Sequence, residues 1–189
     1  MVWRKSNLIM FALGGFIAHS YAHLISPATP TQDIIHCGSS IDKARSLGCH
    51  FDIMSYAYYP DACWDPHLHD SFVHKYRRQW EWSTLDNETL TVDQVLTGNY
   101  SHLRAKSDFH QLHCVYEWQR LIRSLSFGRP LDFKDGDFGH AHHCSMGLLQ
   151  PQTKDVSDGG PTYLELIVWF ARCGMTADQM IEKSGPDIL

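Results

Sequence analysis

The sequence predicts a mainly α fold: a small single-domain helical protein with an irregular, disulfide-stabilised N-terminal region. Three observations carry this. Helix start and stop signals bracket a series of stretches along the chain. Three of the six cysteines (Cys37, Cys49 and Cys63) cluster early, where helical patterning is weak. No change of composition marks a second domain, and 189 residues suffice for one domain with a real core.

The chain opens with a short basic start, Trp3-Arg4-Lys5, followed by an apolar run over residues 8–18. At 11 residues that run falls short of the ~20 a spanning helix needs. It matches the apolar region of a secretory signal, and Ser20-Tyr21-Ala22 offers small residues for cleavage. Residues 1–22 are therefore expected to be a signal peptide, with a short membrane anchor as the alternative. Residues 23–36 form a polar, proline-bearing linker, and 37–189 form the folded domain. Either form of the leader delivers the domain to the secretory lumen, as a secreted or a membrane-anchored protein. The triplets beginning at Asn87 and Asn99 are N-glycosylation acceptors and agree with that route. An even set of cysteines in an oxidising compartment permits up to three disulfides, and the sequence does not choose among the pairings.

Residues 40–47 read as a short helix, capped by Ser39 or Ser40 and stopped by Gly48. Residues 51–59 are aromatic-rich and read as extended or irregular, and Pro60-Asp61 as a turn. Asp65-Pro66 opens a helix through Tyr76, with Leu68, Phe72 and Val73 as its buried stripe. His67, His69 and His74 on that stretch read as solvated surface histidines. Trp80 and Trp82 read as core or lid packing. Residues 90–98 read as a short capped helix ended by glycine. Ser107 or Asp108 caps the next, over 109–125, whose apolar face is Leu112, Val115, Trp118 and Ile122. Gly128-Arg129-Pro130 stops it. A turn over 135–139 leads to a helix over 140–149, ended by Pro151; 151–161 is a polar loop. Residues 163–170 then begin a buried final helical segment that carries Cys173.

Two of these helices carry one pattern written twice. His110-Gln111-Leu112-His113-Cys114 and His140-Ala141-His142-His143-Cys144 both read H-x-x-H-C, with 25 residues between them. Positions i, i+3 and i+4 share a helix face, so each copy gathers two imidazoles and a thiol, while His142 points elsewhere. One such motif is weak; two identical copies are hard to reach by chance, even among 13 histidines. Two facing helices would converge His110, His113, His140 and His143 on a metal, since imidazole suits zinc, copper, iron or nickel. Cys114 and Cys144 either ligate that metal or bridge the two helices. The bridge is the expectation, because a thiolate beside a redox metal is prone to oxidation.

The remaining sequence excludes several classes. A formal charge of −5, with no basic stripe beyond Lys75-Tyr76-Arg77-Arg78, argues against nucleic acid. No nucleophile elbow, phosphate loop, zincin motif or dinucleotide fingerprint is present.

The paired motifs, with the leader and the cysteines, resemble the UstYa family of fungal oxidases that tailor mycotoxins and peptide natural products. The likeness runs from about Cys37 to the C-terminus. Supporting stretches are Cys37-Gly38-Ser39-Ser40, Leu47-Gly48-Cys49, Phe51-Asp52, Cys63 with Asp65, and Glu81-Trp82. The resemblance implies that 37–189 is an oxidase domain with His110, His113, His140, His143, Cys114 and Cys144 at its active site. It implies copper as the metal, with zinc or iron as alternatives, and C–H oxidation by cyclisation, hydroxylation or halogenation. It further implies a small-molecule or peptide biosynthetic intermediate as substrate, membrane association through the N-terminus, and a paralogous oxidase as partner. Two departures stand out. Pro151 breaks the second helix where relatives continue with a cysteine, and the leader is shorter than their anchor. Two rival expectations follow: a secreted structural or interaction protein with a zinc-stabilised His/Cys site, and a catalytically degenerate family member.

Overall fold

A computed structural model describes residues 34–149 and 163–175, all within the unit Gln32–Leu189. The elements in chain order are β1 (Ile35–His36), α1 (Ile41–Ser46), β2 (His50–Asp52), β3 (Ala57–Tyr59), α2 (Pro66–Tyr76) and β4 (Trp82–Ser83). They continue with β5 (Thr89–Leu90), α3 (Val92–Leu96), β6 (His102–Lys106), α4 (Asp108–Phe127) and β7 (Leu131–Asp132). The last are α5 (Phe138–Leu149), β8 (Tyr163–Ile167), β9 (Trp169–Phe170) and β10 (Arg172–Met175).

The mainly α expectation is overturned: the described residues are 47% helix and 23% strand, a mixed α/β fold with three small sheets. Their strand orders are β1-β10-β7, β2-β3-β9 and β5-β4-β6-β8. β3 and β9 run parallel; every other pair is antiparallel. Most strands have two or three residues, too short for alternation to announce them. The largest single correction is at 163–170, expected to be a buried helix. It forms β8 and β9, and its exposed residues Tyr163, Glu165 and Ile167 alternate with half-buried Leu164 and Leu166. That is a period of two, and Ile167, Val168, Trp169 and Phe170 are strand-favouring types.

Several local expectations hold. Ser40 caps α1 by accepting from the Lys43 amide, and Asp65 caps α2 by accepting from the Leu68 amide ahead of Pro66. Leu68 and Phe72 are buried beneath α2. His67 and His74 are exposed, but His69 is buried against Trp64, with ring centroids 4.8 Å apart, which corrects the expectation of a surface histidine. Thr91 and Gln94 form a capping box on α3. The chain then turns at Gly98 with φ +66°. A Cβ there would lie 2.5 Å from the Tyr58 hydroxyl and 2.8 Å from Phe51, so only glycine fits. Trp80 and Trp82 are core residues packed edge-on to Phe109, with centroids 5.8 and 4.7 Å away.

Disulfides join Cys37 to Cys49 and Cys63 to Cys173, which indicates an oxidising compartment. Cys63–Cys173 ties the start of α2 to the C-terminal strands across 110 residues of sequence. Cys114 and Cys144 are free and buried, so the expected bridge between them is not formed. The signal peptide or anchor, the linker as far as residue 33, and the Pro151 break lie outside the described residues. Among the described residues no helix is long and apolar enough to cross a membrane. Asn87 and Asn99 are both exposed.

Helix α4 packs in an unexpected orientation. Val115, Trp118 and Ile122, read as its apolar face, are exposed, Ile122 by 55%. The buried face is Phe109, Cys114, Tyr116, Glu117, Arg120 and Ser124. Directional polar contacts replace an apolar stripe. Tyr116 donates to Asp52 at 2.5 Å, and Arg123 grips Asp65 with two bonds of 2.6 and 3.1 Å. Arg120, 1% exposed, meets Glu117 at 3.0 Å, Asp132 at 3.5 Å and also Asp135, beneath the Tyr59 ring.

Candidate metal centre

The two motif helices pack on one another, and the contact line between them is where both H-x-x-H-C copies fall. Each helix turns its motif cysteine inward, so Cys114 and Cys144 are buried at the crossing. The histidines flank them. His110 and His143 approach to 3.1 Å between their Nε2 atoms. The His113 and His140 ring centroids lie 5.7 Å apart, and those of His110 and His113 6.1 Å. His142 is exposed and stacks on Phe138 instead. All four expected histidines thus meet in one place.

The grouping within that place differs from a simple set of four imidazoles. His113, His140 and Cys144 place one ligand atom each within 4.8 Å of one another. His110 and His143 form an adjacent pair. Their 3.1 Å separation is close to the ~3.3 Å between two nitrogens on one tetrahedral ion at ~2.0 Å bonds. Two imidazoles and a thiol suit zinc or copper by softness, and the metal's identity is left open by the donor set.

Backbone and carboxylate groups orient the ligands from behind. His113 Nδ1 donates to the Met54 carbonyl at 2.7 Å, which leaves the Nε2 lone pair free for a metal. Glu117, one turn along α4, sits 3.6 Å from the same Nδ1. Burial alone would push the Glu117 carboxyl up, but Arg120, His113 and Lys134 hold it below the usual carboxylate range. The Cys144 thiol is lowered, first by a hydrogen bond from Cys114 and then by His113 and His140, against the opposing effect of burial. Cys114, as donor, is raised by the same bond and by burial. Burial and the neighbouring imidazoles His113 and His143 lower His110, which favours the neutral form that a metal needs.

The imidazoles open onto a groove of about 260 Å³. Ser55, Tyr56, Phe109, Lys134 and residues 164–167 of β8 line it together with the imidazoles. Glu117 was missed by the sequence reading, although its place four residues after His113 on the same helix face is the signal that could have found it. The Met54 carbonyl carries no side-chain signal, and β8 joins the site through pairing with β6, some 60 residues earlier.

No family model and no solved structure matches the chain. Two curated proteins do: phomopsin biosynthesis cluster protein B′ and phomopsin biosynthesis cluster protein B of Diaporthe leptostromiformis, each 28% identical over 120 residues. The match covers 58% of this chain and 35% of each relative, so the chain spans about a third of their length. It is a distant homologue of these two biosynthesis-cluster proteins that gathers His113, His140 and Cys144 into a group able to hold a metal ion.

Proposed function

We propose that this chain is a copper-dependent oxidoreductase of the UstYa type, oxidising C–H bonds in a peptide or other secondary-metabolite intermediate within the secretory lumen. The observation that carries this is a His/His/Cys group, flanked by a second imidazole pair, that opens onto a groove instead of being sealed in the core. A copper ion held there supplies one-electron redox chemistry and oxygen activation, which zinc lacks. His113, His140 and Cys144 would hold it, with His110 and His143 at the groove side. The Met54 carbonyl and Glu117 keep His113 in the ligating tautomer. Tyr56, Phe109 and Leu164 give the groove apolar walls that exclude water from a substrate carbon. The resemblance in the paired motifs and the distant relation to the phomopsin cluster proteins support the biosynthetic role. The chemistry among cyclisation, hydroxylation and halogenation, and a paralogous partner, belong to the same proposal.

A zinc-stabilised structural site is the second reading, favoured by the buried Cys144 thiol among the ligands. Metal analysis of purified protein separates the two. Copper in proportion to protein, with the metal lost in His113→Ala and product lost in both His113→Ala and His143→Ala, supports the oxidase. Tightly held zinc with no exchangeable position sinks it.

A further inference from the structure

Among the described residues β8 is an edge strand, last in the order β5-β4-β6-β8, and its side away from β6 borders the groove of the metal centre. The register with β6 shows which backbone groups are committed. Val168 donates to the Ser101 carbonyl at 2.9 Å, and the pairing runs His102↔Ile167 through Lys106↔Tyr163. Antiparallel alternation then turns Leu164, Leu166 and Val168 toward β6, and Tyr163, Glu165 and Ile167 outward. Past Ile167 the outward side is taken: the Trp169 amide donates to Tyr56 at 3.0 Å, and β9 pairs with β3. The lane beside β9 is filled by β3. The same lane beside β8, beyond Ser55 and Tyr56, is where the four imidazoles open.

Proteins blunt a free edge with lysine, proline, a bulge or a cover. β8 has none of the first three: it reads Tyr-Leu-Glu-Leu-Ile, unbroken in register over five pairs, with Ile167 73% exposed. Its one charge, Glu165, is engaged by Arg104 and His102, both at 3.3 Å. Five residues give an edge about 17 Å long.

We propose that the outward edge of β8 is the substrate-docking site, and that its ligand is an extended peptide main chain added as a further strand. Hydrogen bonds to Glu165 and Ile167 would supply sequence-tolerant affinity and lay alternate side chains along the imidazole groove. This rests on the proposed function only for the use made of the bound peptide; the docking itself needs no metal.

The test uses the full chain, freed of metal by dialysis against a chelator, and a capped hexapeptide of alternating threonine and valine at millimolar concentration. Amide hydrogen exchange should slow at Glu165 and Ile167 on adding the peptide, with Leu164 and Leu166 protected throughout. Glu165→Pro removes an outward donor while sparing the β6 ladder, and should weaken binding about tenfold, whereas Glu165→Thr should not. No binding, binding without protection of Glu165 and Ile167, or equal loss in both variants overturns the proposal. Copper titration of the same sample reads the metal site separately. Copper bound without peptide protection refutes only the docking edge, and peptide protection without copper binding refutes only the oxidase.

Discussion

Replacing Arg120 with Met should destabilise the protein by about 3–5 kcal/mol at neutral pH, the cost of removing one partner from a buried ion cluster. The guanidinium is 1% exposed and serves Glu117, Asp132 and Asp135 through one nitrogen, Nη2. Its Nε and Nη1 are buried with no hydrogen-bond partner among the described residues, so these leave the cluster imperfectly satisfied even with Arg120 present. Methionine fills much of the volume under Tyr59 but leaves three buried carboxyls without the guanidinium they share, Lys134 acting on Glu117 alone being no replacement. The pH dependence then separates lost charge from lost packing. In the wild type Glu117 titrates below its ordinary value of 4.5, so its contribution is present above that value and lost as pH falls through the folded pKa. In the variant, burial acts on Glu117 without the Arg120 guanidinium and raises its carboxyl, and Asp135, which burial holds well above its ordinary value even beside Arg120, is raised further. Their contribution is then present only at low pH and is lost as pH rises. The deficit of Arg120→Met should therefore widen from acid to neutral pH. Urea denaturation of both proteins across that range is the assay. A deficit under about 1 kcal/mol, or one that stays constant with pH, would refute the account.

Three further outcomes follow. Gly98→Ala should cost about 2–4 kcal/mol, read from thermal melts, because it adds a Cβ at φ +66° and drives it into Tyr58 and Phe51. Replacing Cys63 and Cys173 together by Ala should cost about 4–5 kcal/mol, since the pair closes 110 residues; the Cys37–Cys49 pair, closing 12, should cost less in the same denaturation series. Cys144→Ser should weaken metal uptake by more than the roughly 10–100-fold expected for losing a group behind a ligand, and competition against a chelator measures it.

The site was more legible in the sequence than the fold around it. A repeated five-residue pattern at helical spacing is local information, and α4 and α5 carry it intact to one contact line. The capped helices α1, α2 and α3 were readable for the same reason: Ser40, Asp65 and Thr91 act within one turn of themselves. The sheets were not, because their partners are remote. β1 pairs with β10 and β6 with β8, and two-residue strands exist only by virtue of those pairings. At 163–170 a hydrophobic run of the right length for a helix hid an alternation that only the exposure of Glu165 and Ile167 makes plain. The cysteines misled for a different reason. Compartment and parity predict how many can bridge, but Cys114 and Cys144 are both free and buried, Cys144 beside His113 and His140.

The misread face of α4 explains how a small fold holds four imidazoles in register. A helix packed through leucines and valines can roll by several degrees at little cost, since apolar contacts are non-directional. One residue of helix corresponds to about 100° of rotation, so even a small roll swings an imidazole away from its partners. On α4 the buried side carries Tyr116 to Asp52, Arg120 to three carboxyls and Arg123 to Asp65, and each bond has a preferred direction. Asp52 also accepts from the Met54 amide, and the Met54 carbonyl in turn receives His113 Nδ1. The aspartate that fixes the rotation of α4 thus also fixes the acceptor that selects the His113 tautomer. Helix orientation and ligand protonation are set by one buried carboxyl, so Asp52→Ala should loosen metal binding despite lying behind the imidazoles, while Tyr116→Phe, which keeps the Met54 turn, should lower stability with a smaller effect on metal affinity.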